Sequence, residues 1–315
     1  MNVDISKHMN NLKNILKNFG VGMTIQCFVR RLISFKVYER YIFDYLCSFF
    51  KPVIQDIKGK KLTLDTEEIP RIVWTLWWQG EENAPDLVKV CIDSQRKAFT
   101  SIGAKVIVLT KDNWDNYISI PDYILKKVKS GKITLTHFSD IIRAELIKDY
   151  GGVWIDATVY CTKNVQEDIF NKGLYTIKYS QSSDFLTLRR WTGFLYGDVK
   201  GSELFSFMSN AFKYYWNEKD ALIAYLLIDY IIAIAYEKFD FIKKQIDEIE
   251  VSNRDIWYLL RRLNEPFCES MWLSIVEDTT FLKLSYKNSF NGGELREKTE
   301  KGECTYWGFL KSGGV

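Results

Sequence analysis

The chain has 315 residues, of which 47% are apolar, so it is long enough and apolar enough to fold around a core of its own. Its formal net charge of +3 at pH 7 is too small to indicate nucleic-acid binding. Because His8 and His137 are the two histidines of the sequence, a Ser-His-Asp hydrolase and a metal site made of several histidines are both disfavoured. The six cysteines have no CxxC spacing, which is typical of reduced thiols in a cytoplasmic protein.

Residues 1–65 predict a helical segment that differs in charge from the rest of the chain. Residues 1–40 carry seven Lys or Arg residues and two acids, a net charge of +5. Leu12, Ile15 and Phe19 recur at helix spacing. Such a helix can make peripheral contact with the inner face of an anionic membrane, or it can pack on the protein with a solvated basic face. The sequence predicts neither a signal peptide nor a membrane span.

Residues 66–315 predict one catalytic domain in which strands and helices alternate. Apolar, β-branched runs predict strands over 69–77, 105–109 and 153–161, and helical spacing predicts helices over 85–99, 121–130 and 137–150. This alternation is typical of an α/β fold with a largely parallel sheet, whose ligands bind at the carboxyl ends of the strands. Long helical stretches over 203–262 and a mobile tail over 285–315 are expected to follow.

The most informative segment, residues 134–161, joins a predicted helix to a predicted strand. In the helix, Asp140 and Arg143 lie one turn apart on one face. This spacing also suits an ordinary surface salt bridge, so by itself it assigns no function. Gly151 and Gly152 then end the helix and allow the chain to turn sharply into the strand.

In the strand, Asp156 lies among apolar residues, on the face that alternation also gives to Trp154 and Thr158. A carboxylate in such a strand is costly unless it is paired or binds a cation. The sharp turn brings Asp156 towards Asp140 and Arg143. We therefore expect two carboxylates and a guanidinium at a strand end, a group that suits a divalent ion bridging two phosphates.

Two stretches of the chain resemble a known enzyme family. The first, at residues 138–156, reads FSDIIRAELIKDYGGVWID. It resembles the DxD-type sugar-binding region of glycosyltransferase family 32, and it is especially similar to the bacterial capsular polysaccharide synthesis glycosyltransferases. The second, IPRIVWTLWWQG at residues 69–80, is similar to the first strand of that family. Residues 190–197 and 225–230 resemble the family more loosely, and the glucosyltransferase domains of the large clostridial toxins are more distantly similar.

The resemblance implies an α/β fold of the GT-A type, which binds nucleotide sugars on a single Rossmann-like mixed sheet, here with helices added at both ends. It implies transfer of a hexose, from UDP-galactose or UDP-glucose by preference, to a growing capsular or cell-surface oligosaccharide on a lipid carrier. It also implies a Mn²⁺ or Mg²⁺ ion and retention of the anomeric configuration.

The resemblance also implies roles for individual residues. Trp74 matches the residue that stacks on the nucleobase, and Trp154 matches an aromatic position near the nucleotide. Asp140 and Arg143 match the pair that holds the hydroxyls of the donor sugar. Asp156 matches the first Asp of the DxD motif, and so the metal ligand.

Thr158 departs from the family pattern, because it stands where the motif has its second Asp. Thr158 would bind the donor or the metal through water, or another group would complete the shell, or dependence on metal is weak. The departure supports an alternative function, a carbohydrate-binding protein whose active site has decayed. A glycoside hydrolase with two carboxylates is a third hypothesis.

Three further residues are candidates for the reaction. Asp229 is an acid inside an apolar predicted helix, so it could face the reacting carbon or the acceptor, or it could be a satisfied buried Asp. Lys283 and Lys287 precede the Gly-rich tail and could contact the diphosphate, or they could belong to a solvated face.

Overall fold

The structure is a computed structural model. It describes residues 5–60, 68–163, 165–171, 173–179 and 186–314, with side chains from residue 16 onward.

The strands are β1 (Ile72–Leu76), β2 (Lys105–Leu109), β3 (Gly152–Ile155), β4 (Val159–Cys161), β5 (Leu174–Thr176), β6 (Leu195–Asp198) and β7 (Phe281–Lys283). The helices are α1 (Ile5–Ile33), α2 (Phe35–Phe49), α3 (Lys51–Gly59), α4 (Asp86–Thr100), α5 (Asp122–Lys129), α6 (Leu135–Tyr150), α7 (Glu203–Glu218), α8 (Leu227–Lys238), α9 (Asp240–Asp247), α10 (Glu269–Asp278), α11 (Asn288–Asn291) and α12 (Tyr306–Lys311). Short 3-10 helices cover Glu81–Asn83, Trp114–Asn116, Glu167–Phe170 and Tyr258–Arg261.

A five-stranded mixed sheet forms the centre of the protein, with the strand order β2-β1-β3-β6-β5. β1 pairs in parallel with β2 and β3, whereas β6 pairs antiparallel with both β3 and β5. The predicted fold class, a single Rossmann-like mixed sheet with added helices, is therefore confirmed. The topology is consistent with the GT-A type that the resemblance implies.

The side chains of the central strands separate two layers of the core. Trp74, Trp154 and Tyr196 lie side by side on β1, β3 and β6, and all three face the helical layer that contains α6, α7 and α8. Val73 and Val153 face the opposite layer, where they pack with α4 and β7. Because both faces of the sheet are covered, its central strands are apolar on both sides, as the sequence of this region indicates.

Local sequence signals set the ends of α6, which carries the predicted Asp140–Arg143 pair. The Thr134 side chain accepts a hydrogen bond from the backbone nitrogen of His137 and caps the first turn. Gly151 ends the helix at φ 69°, a conformation that favours glycine. Gly152 is also required, because a Cβ there would lie 2.5 Å from the carbonyl oxygen of Ile72.

The prediction of one strand over residues 153–161 is wrong. β3 ends at Ile155, residues 156–158 form a turn, and β4 begins at Val159. The backbone nitrogen of Val159 donates to the carbonyl oxygen of Asp156 at 2.9 Å, which closes the turn. β4 then leaves the main sheet and pairs antiparallel with β7. Strand alternation therefore does not place Thr158 on the face of Asp156, although a shared contact described below does bring the two together.

Helices α2 and α3 pack on the body of the protein, one of the two arrangements that the sequence left open, and the tail packs there too. α2 contacts α8 and α3 contacts α7, and their side chains belong to the same apolar cluster as the sheet-facing helices. The predicted boundary near residue 65 lies outside the described residues. In the tail, which we expected to be mobile, Trp307 of α12 is buried against an apolar cluster that includes Tyr160 and Leu282. Apolar burial of this kind holds a segment in place.

Candidate active site

Asp156 is the first residue after β3, at the carboxyl end of a central parallel strand, where ligands bind in folds of this kind. Its Oδ2 lies 2.9 Å from Nζ of Lys283, and its Oδ1 accepts a hydrogen bond from Nε1 of Trp154 at 2.9 Å. Burial alone would raise the pKa of Asp156, but the positive charges of Lys283 and Arg143 outweigh it and hold the pKa below its ordinary value. Asp156 is therefore a carboxylate near neutral pH.

Arg143 joins the two carboxylates that the sequence predicts to meet. One of its terminal nitrogens, Nη2, lies 3.2 Å from Oδ1 of Asp140 and 3.4 Å from Oδ1 of Asp156. The same nitrogen donates to Oγ of Ser139 at 3.0 Å, while Nη1 donates to the carbonyl oxygen of Gly193. The predicted meeting of Asp140, Arg143 and Asp156 is thus found in the structure.

A histidine holds Asp140 from the other side. Nδ1 of His137 lies 3.3 Å from Oδ2 of Asp140, within one turn of the same helix. Both oxygens of Asp140 therefore face nitrogen atoms of neighbouring side chains. His137 and Asp140 are both buried, so the two side chains pack against each other inside the protein.

Lys283 links Asp156 to Thr158. Its Nζ lies 2.9 Å from Oδ2 of Asp156 and 2.6 Å from Oγ1 of Thr158. The side chain is 16% exposed. From the sequence, Lys283 and Lys287 had the same two alternatives, a solvated face or contact with the diphosphate. In the structure the two lysines differ, because Lys283 lines the cavity whereas Lys287 is exposed and does not.

These groups open into a cavity of about 540 Å³, which we call the central cavity. Its charged or acidic lining residues are Glu39, Asp140, Arg143, Asp156, Asp229 and Lys283. A larger cavity of about 760 Å³ lies beside β5 and α9, but it is lined by none of the residues that the sequence assigns to the site. The charged groups therefore make the central cavity the candidate active site.

Asp229 lies in the first turn of α8. Although it is distant from Asp156 in the sequence, both side chains line the central cavity. Nε1 of Trp191 donates a hydrogen bond to its Oδ1 at 3.1 Å. Burial raises the pKa of Asp229 to about 6, although the hydrogen bond from Trp191 lowers it. Asp229 thus titrates close to the neutral range and is suited to exchange a proton there.

Glu39 was not identified by sequence reasoning, which counted it among the N-terminal charges. It belongs to α2 and lines the central cavity together with Asp229. Burial raises the pKa of Glu39 to about 7. No sequence motif surrounds Glu39, so its place in the site could be found only from the fold.

Trp74 and Trp154 are both fully buried, and Trp74 is 1% exposed. Nε1 of Trp74 donates to the carbonyl oxygen of Gly151 at 3.0 Å, and its ring packs against Tyr117 and Tyr150. This geometry leaves no open ring face for a base, so the predicted stacking role of Trp74 gains no support from it and stays a prediction. Trp154 contacts the site through its hydrogen bond to Asp156. The centroid of its ring lies 4.7 Å from the guanidinium carbon of Arg143.

The residues present do not fit the Mn²⁺ or Mg²⁺ ion that the family resemblance implies. Such an ion binds one or two protein carboxylates through free oxygen atoms and completes its shell with water and phosphate oxygens. Both oxygens of Asp156 lie within 3.4 Å of nitrogen atoms of Arg143, Lys283 or Trp154, and Oδ1 of Asp140 lies 3.2 Å from Arg143, so these carboxylates are already paired with cations. Within the ranges that the structure describes, no group of three or more His, Cys, Asp or Glu residues could hold a metal.

Comparison with known proteins gives an extensive match to a family model and a likeness to solved structures. A family model described as "Capsular polysaccharide synthesis protein" matches residues 27–299. No curated protein matches the chain. Among solved structures, a chain described as "PaToxG Glycosyltransferase" has 15% sequence identity and a TM-score of 0.37, and the likeness covers 66% of this chain and 85% of that one.

Proposed function

This chain belongs to the capsular polysaccharide synthesis protein family, and from that premise we propose that it is a glycosyltransferase. The proposed reaction moves a hexose from a nucleotide sugar to a growing capsular or cell-surface oligosaccharide. UDP-galactose and UDP-glucose are the favoured donors, a lipid-linked oligosaccharide is the favoured acceptor, and we propose that the anomeric configuration is retained.

One observation carries the proposal: two carboxylates and two cationic side chains converge at the carboxyl end of β3. Asp140 and Asp156 offer acceptors for sugar hydroxyls, and both lie within 3.4 Å of Nη2 of Arg143. Arg143 and Lys283 offer the positive charge that a departing diphosphate requires. All four side chains line the central cavity, whose volume of about 540 Å³ is in the range of small-molecule sites.

The proposed step breaks the bond between the anomeric carbon and the bridging oxygen of the diphosphate. The electron pair of that bond leaves with the phosphate oxygen. The hydroxyl oxygen of the acceptor forms the new bond to the same carbon, and with retention the hydroxyl proton passes to an oxygen of the departing diphosphate. Arg143 and Lys283 would lower the barrier by stabilising the charge that develops on that diphosphate.

Asp229 and Glu39, which also line the central cavity, support a position for the acceptor there. Asp229 accepts a hydrogen bond from Trp191 and Glu39 accepts one from the backbone of Leu186, so each is held by an uncharged donor. The raised pKa of each group, to about 6 for Asp229 and about 7 for Glu39, leaves a protonated fraction that can donate to a hydroxyl. We propose that they orient the acceptor hydroxyl rather than bind the nucleotide.

The exposed face of α1 supports a peripheral membrane contact. Beyond the kink at Gly20, the side chains of Val21, Ile25, Phe28 and Leu32 recur at helical spacing, and all four are exposed. Basic residues end the helix, which makes the face complementary to an anionic lipid surface. No helix in the described ranges is long and apolar enough to cross a bilayer. We therefore propose contact with the inner membrane face, where a lipid-linked acceptor would be.

A carbohydrate-binding protein with a decayed active site is the second candidate, because Thr158 replaces an acid of the family motif. The two functions differ in the fate of the donor. A transferase leaks some sugar to water and releases nucleotide, whereas a binding protein leaves the nucleotide sugar intact. Nucleotide release from a panel of nucleotide sugars separates them.

The Asp156→Asn substitution tests the proposed transferase site. The amide nearly keeps the shape of the carboxylate but loses the charge that holds Lys283 and Arg143, so transfer should fall by about 100-fold. The exposed Asp115 provides a matched control, since Asp115→Asn removes an acid that does not line the central cavity. Transfer rates and melting temperatures should be measured for both variants. Wild-type transfer by a folded Asp156→Asn protein would refute the assignment.

A further inference from the structure

We propose that the ammonium group of Lys283 is the cation that stabilises the nucleoside diphosphate, in the place where the family resemblance implies a divalent metal ion. This inference rests on the proposed function, because it concerns the donor side of the same site. It follows from two observations: the site fits a divalent metal ion poorly, and the ammonium group of Lys283 lies beside Asp156.

The position of Lys283 is fixed by the backbone. Lys283 ends β7 and lies directly opposite Val159 in the antiparallel pair with β4. The next residue, Leu284, donates its backbone nitrogen to the carbonyl oxygen of Thr158 at 2.9 Å. The chain therefore returns to the turn after β3 through two strands, and the lysine side chain starts from a rigid element.

The contacts of Nζ place the positive charge between the two residues of the altered motif. It lies 2.9 Å from Oδ2 of Asp156 and 2.6 Å from Oγ1 of Thr158. An ammonium group has three hydrogens and two of them serve these acceptors. The third remains for a ligand in the central cavity, which Lys283 lines. The ring of Phe194, with its centroid 5.1 Å from Nζ, covers another side of the charge.

The charges of the site explain why Thr158 and Lys283 belong together. Two carboxylates with a divalent ion form a neutral group, and so does one carboxylate with one ammonium. Thr158 removes one negative charge from the motif, and Lys283 supplies a positive charge beside the carboxylate that remains, Asp156. A second carboxylate at residue 158 would leave this group negative, which disfavours binding of a diphosphate.

Lys283 needs no change of its own protonation state in this role. No bond of the lysine breaks or forms in the transfer step. Its ammonium group donates a hydrogen bond to a diphosphate oxygen before, during and after that step. Arg143 provides the second positive charge, which is held by Asp140 and Asp156. The two cations therefore approach the diphosphate from α6 and from β7.

The first experiment measures nucleotide binding in the presence of EDTA. Calorimetric titrations with UDP, GDP and ADP are made on the wild type, on Lys283→Met and on Lys287→Met, an exposed lysine of the same segment that does not line the cavity. We expect the wild type to bind one of the three without added metal. Lys283→Met should bind that nucleotide about 10- to 100-fold more weakly, and Lys287→Met should bind it as the wild type does. Equal affinity of Lys283→Met and wild type, or an equal loss in both variants, overturns the inference.

A second measurement does not depend on any variant and covers the case in which Lys283→Met fails to fold. Nucleotide affinity and sugar transfer by the wild type are compared in EDTA and in excess Mn²⁺. We expect both to change by less than about 3-fold, which is small beside the effect of one charged contact. Loss of transfer in EDTA and its recovery in Mn²⁺ overturn the Lys283 assignment while the proposed transferase function stands. A wild type that binds none of the three nucleotides refutes the donor site itself, and with it both proposals.

Discussion

Nε1 of Trp216 donates a hydrogen bond to Nε2 of His137 at 3.0 Å, deep in the helical layer. A ring nitrogen that accepts a hydrogen bond carries no hydrogen, so the hydrogen of the neutral ring is on Nδ1. That nitrogen lies 3.3 Å from Oδ2 of Asp140. The His137 ring therefore lies between Trp216 and Asp140, a carboxylate of the proposed sugar site.

We expect His137→Phe to affect both stability and transfer. The buried N–H of Trp216 would lose its acceptor, which costs about 1–3 kcal/mol of unfolding free energy. Asp140 would lose the polar side chain that lies 3.3 Å from its Oδ2, so transfer should fall while nucleotide affinity is kept. His137→Gln, whose amide oxygen can still accept from Trp216, should recover part of the stability. Urea denaturation and transfer assays test this, and an unchanged unfolding free energy in His137→Phe would contradict it.

The raised pKa of Glu39 predicts a pH dependence of stability. Its folded-state pKa of about 7 lies above the ordinary value of 4.5, so the folded protein binds this proton more tightly than the unfolded chain. The contribution of Glu39 to stability is therefore present at low pH and is lost as the pH rises from about 4.5 through about 7. The unfolding free energy of Glu39→Gln minus that of the wild type should therefore be larger at pH 8 than at pH 5, by about 1–3 kcal/mol. Urea denaturation of both proteins at the two pH values measures the difference, and equal pH dependence would contradict the buried position of Glu39.

Burial of Trp74 predicts that its substitution acts on the core. Trp74→Ala should lower the unfolding free energy by about 3–5 kcal/mol, because it leaves a cavity between β1 and the helical layer. Trp74→Phe should keep most of the packing and bind UDP with wild-type affinity. Melting curves and UDP titrations of the two variants distinguish this outcome from the stacking role that the family resemblance implies. A folded Trp74→Phe protein with a clear loss of UDP affinity would restore that role.

The exposed face of α1 predicts sedimentation with anionic liposomes. Replacement of Ile25 and Leu32 by Gln removes apolar area and leaves the basic residues in place, so binding should decrease by about 10-fold. Leu273→Gln, at an exposed apolar position on α10, is a matched control that should bind as the wild type does. Recovery on neutral and anionic vesicles should also differ for the wild type. Equal recovery on both would favour a purely structural role for the N-terminal helices.

Sequence patterns predicted the part of the site that lies within one stretch of chain. Asp140 and Arg143 share a helix face because their separation of three residues nearly equals one turn, whatever else the protein does. The cap at Thr134 and the glycines after Tyr150 set the limits of α6 by local backbone preference. The apolar runs of β1 and β3 likewise predicted a covered sheet, since such strands must be buried on both faces.

Other features depended on where distant segments return. The end of β3 at Ile155 is set by pairing of β4 with β7 rather than by the residues of the strand itself, so the predicted continuous strand was wrong. Burial of Trp74 also depends on distant segments. Strand alternation places its ring on one face of β1, but only the packing of the helices shows that this face is covered. Glu39 entered the site because α2 packs on α8.

The sequence by itself determined the α/β fold and the converging Asp140, Arg143 and Asp156, because each depends on the chemistry and spacing of near neighbours, and its resemblance to the family motif showed the departure at Thr158. Only the tertiary structure decided what compensates that departure. Lys283 reaches Thr158 across 125 residues of chain, and no periodicity or motif spans such a distance. Its contact results from the antiparallel pairing of two three-residue strands, which is stable only when the surrounding core is formed.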